Sequence, residues 1–450
     1  MKQKQITIGF IGVALVAAGL AIVTKPHPVA PNAFFDEGKE FFPDFTDPNA
    51  AKSLEVIDYD AEHGAAIPFK VTFDGKKWTI PSEYNYPADG KDRLAKTAAG
   101  LIGIKRDDFR TDNPADYAAC GVIDPLDESN PSIQGRGKRI TIKGENDVVL
   151  ADIIVGKSFK GRDDFHLVRI PGQKRVYGTQ LKLDLSTSFK DWINDDLLNV
   201  DKDKITRVEL NDYSVDERTG SLNKRDQIVL TRDGDTWNMG NVPRGKEVDK
   251  YKIGNLLTAI DGLSINGVRP KPPGVSASLA RAANGKPVSR ADMLSLQSKG
   301  FFFTRNGNLV SNEGELRVAD SDGVDWTLRF GEVAVGITQD TKPKGEKSTG
   351  ENRYVMISAS FDSTQFKEPP RPANTDYKNR PDSTWTKDDY RNKGLQTAWN
   401  RWKAKENRGR GRAEKLSKRF AGWYYIISSE SFDKLHIKRN DLLRDKPKTG

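Results

Sequence analysis

A strand pattern runs from Pro68 to Phe73, and after Asp74-Gly75 a second one places Trp78 and Ile80 on one face at period two. A Gly after Asp supplies the positive φ of a tight turn, so the two runs predict a hairpin. A polar, Pro-containing loop follows, and the period then changes. Leu94, Ala98, Leu101 and Ile104 stand four, three and three apart, the single stripe of an amphipathic helix laid on a sheet. The whole pattern returns 159 positions later. Asp233-Gly234 repeats the turn, Trp237 matches Trp78, and Ile253, Leu257, Ile260 and Leu263 repeat the stripe. One α/β unit is therefore read as used twice. Its core is Trp78, Leu94, Leu101 and Ile104 in one copy and Trp237, Ile253, Ile260 and Leu263 in the other. Trp78 and Trp237 read as core aromatics pinning helix to hairpin, the functional alternative being a pair of ligand-stacking platforms.

The rest of each copy is laid out by the same signals. In the first, Leu54–Asp58 is a strand, and 108–125 is a loop of turn residues feeding a hairpin, Arg139–Lys143 with Val148–Val155. Phe165–Ile170 and Arg175–Tyr177 form another hairpin, turning at Pro171-Gly172. Phe189, Trp192, Ile193 and Leu197 predict a short amphipathic helix that closes the copy. The second opens with Ile205–Leu210 and Gln227–Thr231 and carries a Pro-, Gly- and Ser-rich insertion over 270–289. Its later part predicts strands at Glu315–Val318 and Trp326–Phe330 around the turn Asp320-Ser321-Asp322-Gly323, with Gly331 in the place of Gly156. YVMISASFD at 354–362 is echoed by YIISSESFD at 425–433. Between them lie a Pro-rich stretch and a charged helix from about Lys387 to Phe420, an insertion after which the strand Trp423–Ser428 and a helix Ser431–Leu443 rejoin the second copy.

Ahead of all this, Lys2 and Lys4 precede an uncharged apolar run from Ile6 to Val23 that ends before Lys25. Eighteen residues at 1.5 Å each span about 27 Å, close to the hydrocarbon thickness. A cleavable signal peptide has a shorter apolar core. The run is read as an uncleaved signal-anchor, although the Ala-rich stretch from Val13 to Ala21 leaves cleavage open. The very short Lys-bearing start places the N-terminus inside, with the bulk of the chain in the periplasm beyond the inner membrane.

Charge and cysteine content narrow the chemistry. One cysteine, Cys120, excludes an intramolecular disulfide and a cysteine metal cluster, and reads as a buried small hydrophobe. The net charge of +9 is a tail property, since 371–450 holds 21 Lys and Arg against 10 Asp and Glu. Gly156-Lys157-Ser158 is not a phosphate loop, because Ala151 stands where such a loop requires Gly. Asp320, Asp322 and Asp325 lack the Glu of a calcium loop and read as a hairpin turn. The four histidines have no metal-ligand spacing, Asp163-Asp164 and Asp195-Asp196 read as solvated surface, and no nucleophile elbow occurs. No catalytic, cofactor or metal residues are assigned, and the reading is not an enzyme.

The one stretch with binding character is basic. Arg401, Lys403, Lys405, Arg408, Arg410, Arg412, Lys415, Lys418 and Arg419 cluster with Trp399 and Trp402. Inside a cell this would suggest nucleic acid. Outside the membrane the available polyanions are lipid headgroups and acidic envelope polymers. The bland alternative is a solvated helical insertion.

Several stretches in this order resemble one bacterial family, domain of unknown function 4340. They are DGKKWTI, then ADGKDRLAKTAAGLIGI, then CGVIDP with Cys120 in place of the family's Tyr, then DIIVGKSF, RVYGT and SFKDWINDDLL. The resemblance covers most of the chain after the anchor, and the charged insertion before RFAGWYYIISSESFDKLHIKRNDLL looks like the planctomycete form. It implies a single-pass envelope protein, encoded near ABC-2 type permeases and gliding-type components, that serves as an accessory subunit and has no assigned catalytic residues. The expected fold is α+β, a tandem repeat of antiparallel β-hairpins packed on helices behind a single N-terminal transmembrane helix. The expected divisions are an anchor at 1–25, a linker at 26–52, first and second repeats at 53–200 and 201–368, the basic insertion at 369–420, and a closing strand and helix at 421–450. The expected partners are the membrane, ABC permease and ATPase subunits, and, as the alternative function, acidic glycan or lipid bound through the basic segment, with no nucleic acid.

Overall fold

Both Asp-Gly turns close hairpins. In the first, β2 (Ala65–Phe73) meets β3 (Trp78–Ile80) at the pair Phe73–Trp78. The Asp74 carboxylate accepts from the amides of Lys76 and Lys77, both at 2.9 Å, and Gly75 has φ of 89°. In the second, β11 (Ser221–Asp233) meets β12 (Thr236–Met239) at Asp233–Thr236, with Gly234 at φ of 56°. This computed structural model describes residues 35–446 apart from 160, 184, 195, 217, 220, 276–278, 280–287, 305 and 336–350. The apolar run Ile6–Val23 and most of the insertion at 270–289 thus lie outside the described residues. Among those described, no helix is long and apolar enough to cross a membrane.

The fold is mixed α and β with antiparallel sheets. Around the first hairpin stand β1 (Ser53–Asp60), β4 (Tyr86–Pro87), β5 (Asp108–Thr111), β6 (Lys138–Lys143), β7 (Val149–Phe159), β8 (Arg162–Arg169) and β9 (Val176–Gln180), in the order β4-β3-β2-β1-β6-β7-β8-β9-β5. The second sheet is built from β10 (Ile205–Asp216), β11, β12, β14 (Gly267–Pro270), β17 (Glu315–Asp320), β18 (Val324–Val333), β19 (Arg353–Phe361) and β20 (Trp423–Ile427). Its order is β12-β11-β10-β17-β18-β19-β20-β14, so from β3 to β5 the first order returns strand for strand. Two small pairs complete the set: β13 (Lys246–Val248) with β21 (Leu443–Asp445), and β15 (Phe301–Phe303) with β16 (Leu309–Ser311). Two compact units result, each discontinuous in sequence. One takes residues up to Pro68 with Leu94–Leu185, the other Phe69–Arg93 with Ser186 onward. The division by repeat at 200/201 follows sequence similarity, whereas these units follow packing.

In the first unit the strap before β1 is held down. Phe41 and Phe45 are buried, the Phe41 amide donates to Ile104 O at 2.9 Å, and the Asp36 carboxylate accepts from Tyr177 Oη at 2.6 Å and Arg175 Nη1 at 3.2 Å. Leu94, Leu101 and Ile104 are buried as the stripe predicts, but the helix is shorter, Lys91–Ala99. It stops because backbone crosses its end: a Cβ at Gly100 would stand 2.6 Å from Lys182 O. The span 108–125 is not only loop. It contains the edge strand β5, paired with β9, and a one-turn helix Tyr117–Cys120 whose Cys120 is buried among Val122, Ile154 and Val176. Gly156 sits in β7 because Cys120 O lies 2.5 Å from where its Cβ would be, the reason for that Gly and not a phosphate.

The second unit repeats that device: a Cβ at Gly331 would stand 2.1 Å from Lys299 O, just after the helix Arg290–Gln297. Its helix Lys250–Asp261 is N-capped by Asp249 and buries Ile253 and Ile260, with Leu263 buried beyond its end. Trp78 and Trp237 are only half-buried, because β3 and β12 are short strands toward the sheet margins. The indoles that are fully buried are Trp192, packed on Phe69 at 5.8 Å, and Trp326. Trp192 ends a single 3₁₀ turn, Phe189–Trp192, where an α-helix reaching Leu197 is expected; Ile193 is already extended. Similarly, the closing helix is Ser429–Leu435, N-capped by Ser428, and the chain then turns through 439–442 into β21.

The charged helix is the longest element, Lys387–Ala421. Thr386 and Asp389 form a capping box, acidic residues fill the first turn and Lys418 and Arg419 the last, all favourable to the helix dipole. Glu406, Gly409, Ala413, Leu416 and Phe420 make its buried stripe against the second sheet. Gly409 lies on the β17–β18 turn, where an added Cβ would be 2.0 Å from Asp322 O. Arg412 Nη1 donates to the fully buried Asp320 carboxylate at 2.6 Å, and its Nη2 donates to Asn199 O. Burial pushes the Asp320 pKa up, opposed by the amides of Val324 and Asp322 and by Arg412.

Two substitutions test this seat by denaturant unfolding. Gly409→Ala in an ordinary helix is stabilising by roughly 1 kcal/mol; here the clash makes it destabilising by about 1–3 kcal/mol. Arg412→Met leaves a buried carboxylate without its cation and is expected to cost roughly 3 kcal/mol, while Lys418→Ala on the exposed face changes stability by about 0.5 kcal/mol or less.

Candidate functional site

The nine basic residues from Arg401 to Arg419 do not act as one cluster. Lys403 Nζ and Arg410 Nη2 both donate to Glu406, at 2.7 and 2.9 Å, and hold its carboxyl below the usual range. Arg410 also lies over the Phe361 ring, Lys405 over Phe366, and Arg412 over Trp326. Arg419 Nη1 donates to Asp196 O at 2.9 Å. Trp399 donates to Glu368 at 3.3 Å, with Arg371 over its ring. Those groups tie the helix down. Arg401, Arg408, Lys415 and Lys418 stay exposed. The first three recur every seven residues, so they form one stripe along the face opposite Gly409 and Ala413.

A second polar region, on the face of the eight-stranded sheet, has no counterpart in the sequence motifs. Alternation puts Glu209 and Asn211 of β10, Gln227 of β11, Glu315 and Arg317 of β17, and Asp325, Thr327 and Arg329 of β18 on one side. Register aligns them in rows: Gln227–Asn211–Glu315–Arg329, and Glu209–Arg317–Thr327. Glu209 is buried and accepts from Gln227 Nε2 at 2.9 Å, Asn211 Nδ2 at 3.2 Å and Arg207 Nη2 at 2.9 Å. Burial raises its pKa, but these hydrogen bonds and the Arg207 charge outweigh it and leave the carboxyl below its ordinary value. Arg329 pairs with Glu315 at 3.2 Å, and Arg439 binds Asp226 through two nitrogens at 2.7 and 3.1 Å. The Tyr213 hydroxyl is pushed up to about 12 by burial and by Glu315. Asp325 is buried and its pKa raised by that burial, opposed by Arg317.

Sequence patterns miss this region because charged residues at alternate strand positions look the same on an open face as in a recess. Among the described residues no group of three His, Cys, Asp or Glu side chains is placed to hold a metal ion. Asp320 is a turn residue, its carboxylate accepting from Asp322 N and Val324 N. Among the described residues the histidines do not converge: His63 pairs with Asp60 at the surface and His436 stacks on Phe432.

No curated protein and no solved structure matches the chain. A family model described as "Domain of unknown function (DUF4340)" matches residues 78–281, from β3 to beyond β14, a shorter span than the motif resemblance suggests. Over residues 78–281 the chain is thus similar to the DUF4340 family.

Proposed function

We propose that this protein is a membrane-anchored, extracytoplasmic accessory module without catalysis of its own, serving an ABC-2 or gliding-type transport system. The observation that carries the reading is the repeated strand order. Two sheets of one strand order follow a single apolar run of membrane-spanning length, Ile6–Val23, an arrangement suited to presenting binding faces outside a membrane. The shared order supports reading the two sheets as tandem copies of one unit, with the long helix inserted between the equivalents of β8 and β9. The N-terminus lies inside and the body in the periplasm, as the Lys-bearing start suggests. The link to permease and ATPase subunits rests on the family resemblance.

A second reading, binding of acidic glycan or lipid headgroups, is favoured by the exposed stripe Arg401, Arg408 and Lys415 with Lys418. It uses four of the nine basic residues, since the others are engaged within the fold. Basic groups near an anionic surface contribute about 1 kcal/mol each, screened by salt.

Two measurements separate the readings. Crosslinking in intact cells, followed by purification through a C-terminal tag and mass spectrometry, should recover permease and ATPase subunits; their consistent absence would end the transporter reading. Reversing Arg401, Arg408, Lys415 and Lys418 to Glu should abolish salt-sensitive retention on phosphatidylglycerol vesicles and leave the melting temperature unchanged. Retention equal to that of the native chain would end the polyanion reading.

A further inference from the structure

An antiparallel sheet commonly packs one face on the core and wets the other. The polar face of the second sheet departs from that pattern, because Glu209 and Asp325 on it are only 7% and 9% exposed. Two recesses account for the departure. A groove of about 780 Å³ runs over β10, β11, β17 and β18, and a smaller cavity of about 80 Å³ is lined by Arg207, Asp325, Asp362 and Gln365. The cross-strand pair Glu209 and Arg317 lines both. The groove falls in the range of roughly 300–1,000 Å³ typical of small-molecule sites. The cavity has room for one substituent.

One atom there lacks a partner. Asp325 Oδ2 accepts from Arg317 Nη2 at 3.2 Å, but Oδ1 is buried and accepts from no group. Buried acceptors are rarely left without a donor, and each such atom calls for a specific explanation. The charge pattern says what kind of donor. Lining the groove are five cationic side chains and four anionic ones, and they are largely paired with each other: Arg439 with Asp226, Arg225 with Asp212, Arg329 with Glu315. A groove so balanced has little net field with which to draw in an ion. What it offers is spare carboxylate lone pairs and guanidinium N–H groups beside the amides of Asn211 and Gln227. Adjacent hydroxyls, each both donor and acceptor, complement such a surface.

We propose that this groove binds a neutral, hydroxyl-rich ligand, a short oligosaccharide, with one hydroxyl entering the small cavity to donate to Asp325 Oδ1. The inference is independent of the transporter reading, and needs neither the anchor nor the basic stripe. Asp325→Asn is the sharpest probe. Arg317 keeps the amide oxygen on its own side, so the amide nitrogen takes the place of Oδ1 and the acceptor becomes a donor.

The test uses the full chain in a detergent without a sugar headgroup, titrated with maltotriose, cellotriose and triacetylchitotriose by calorimetry and saturation-transfer NMR. At least one is expected to bind with a Kd of about 1 mM or tighter. Asp325→Asn should weaken that binding by about tenfold or more, with melting temperature as the check on folding. Gln365→Ala, at the edge of the cavity, should weaken it by roughly two- to fivefold, and decides the matter if Asp325→Asn does not fold. Failure of all three saccharides to bind, binding unchanged in the folded variants, or preferential binding of heparin in the groove would each overturn the proposal.

Discussion

The Asp320 carboxylate has no exposed surface, and a buried charge persists only where a counter-charge and hydrogen bonds replace water. Two amides of its own turn supply part of that, and Arg412 supplies the rest from a helix nearly a hundred residues away in sequence. This pair explains why the insertion is not an appendage. To bring Arg412 to Asp320 the helix must cross the β17–β18 turn at contact distance, which requires Gly409. Once seated there, it covers part of the sheet with Ala413, Leu416 and Phe420 and spends about half of its basic residues on internal partners. The charge that remains for other molecules is what this seat leaves over.

Much of the fold was legible in the sequence, for reasons that can be named residue by residue. Asp74-Gly75 and Asp233-Gly234 encode their turns locally, and Thr386, Asp389 and Gly422 mark the ends of the long helix almost to the residue. Helix lengths were less legible, because an apolar stripe records burial and not conformation: Leu101, Ile104 and Leu263 continue the stripe in loops beyond the helix ends. The β5 strand and the β15–β16 hairpin escaped notice because each is three or four residues long and owes its pairing to distant partners. Of the candidate site, composition revealed the basic residues but not their partners, since Glu406, Phe361 and Asp320 are neighbours only after folding. The charged face of the second sheet was invisible for the same reason.

The shared strand order also says where such a fold tolerates additions. Between β8 and β9 the chain turns at Pro171-Gly172, whereas between β19 and β20 it carries the Pro-rich stretch and the long helix. A hairpin end is the natural place for this, since lengthening a loop adds closure entropy only slowly and the strands on either side keep their pairing. Tyr425–Ile427 resumes beside Arg353–Val355 despite the intervening residues.

The strap ahead of β1 has a mechanical consequence. Gly38 donates to Arg106 O, Arg106 donates to Lys39 O and Phe41 donates to Ile104 O, while Asp36 is clamped by Arg175 and Tyr177. A pull on the chain at Asp36 is therefore resisted by this ladder and clamp together before any tension reaches β1. The strap thus acts as a strain relief: force entering the first unit from its N-terminal side loads these contacts ahead of the sheet.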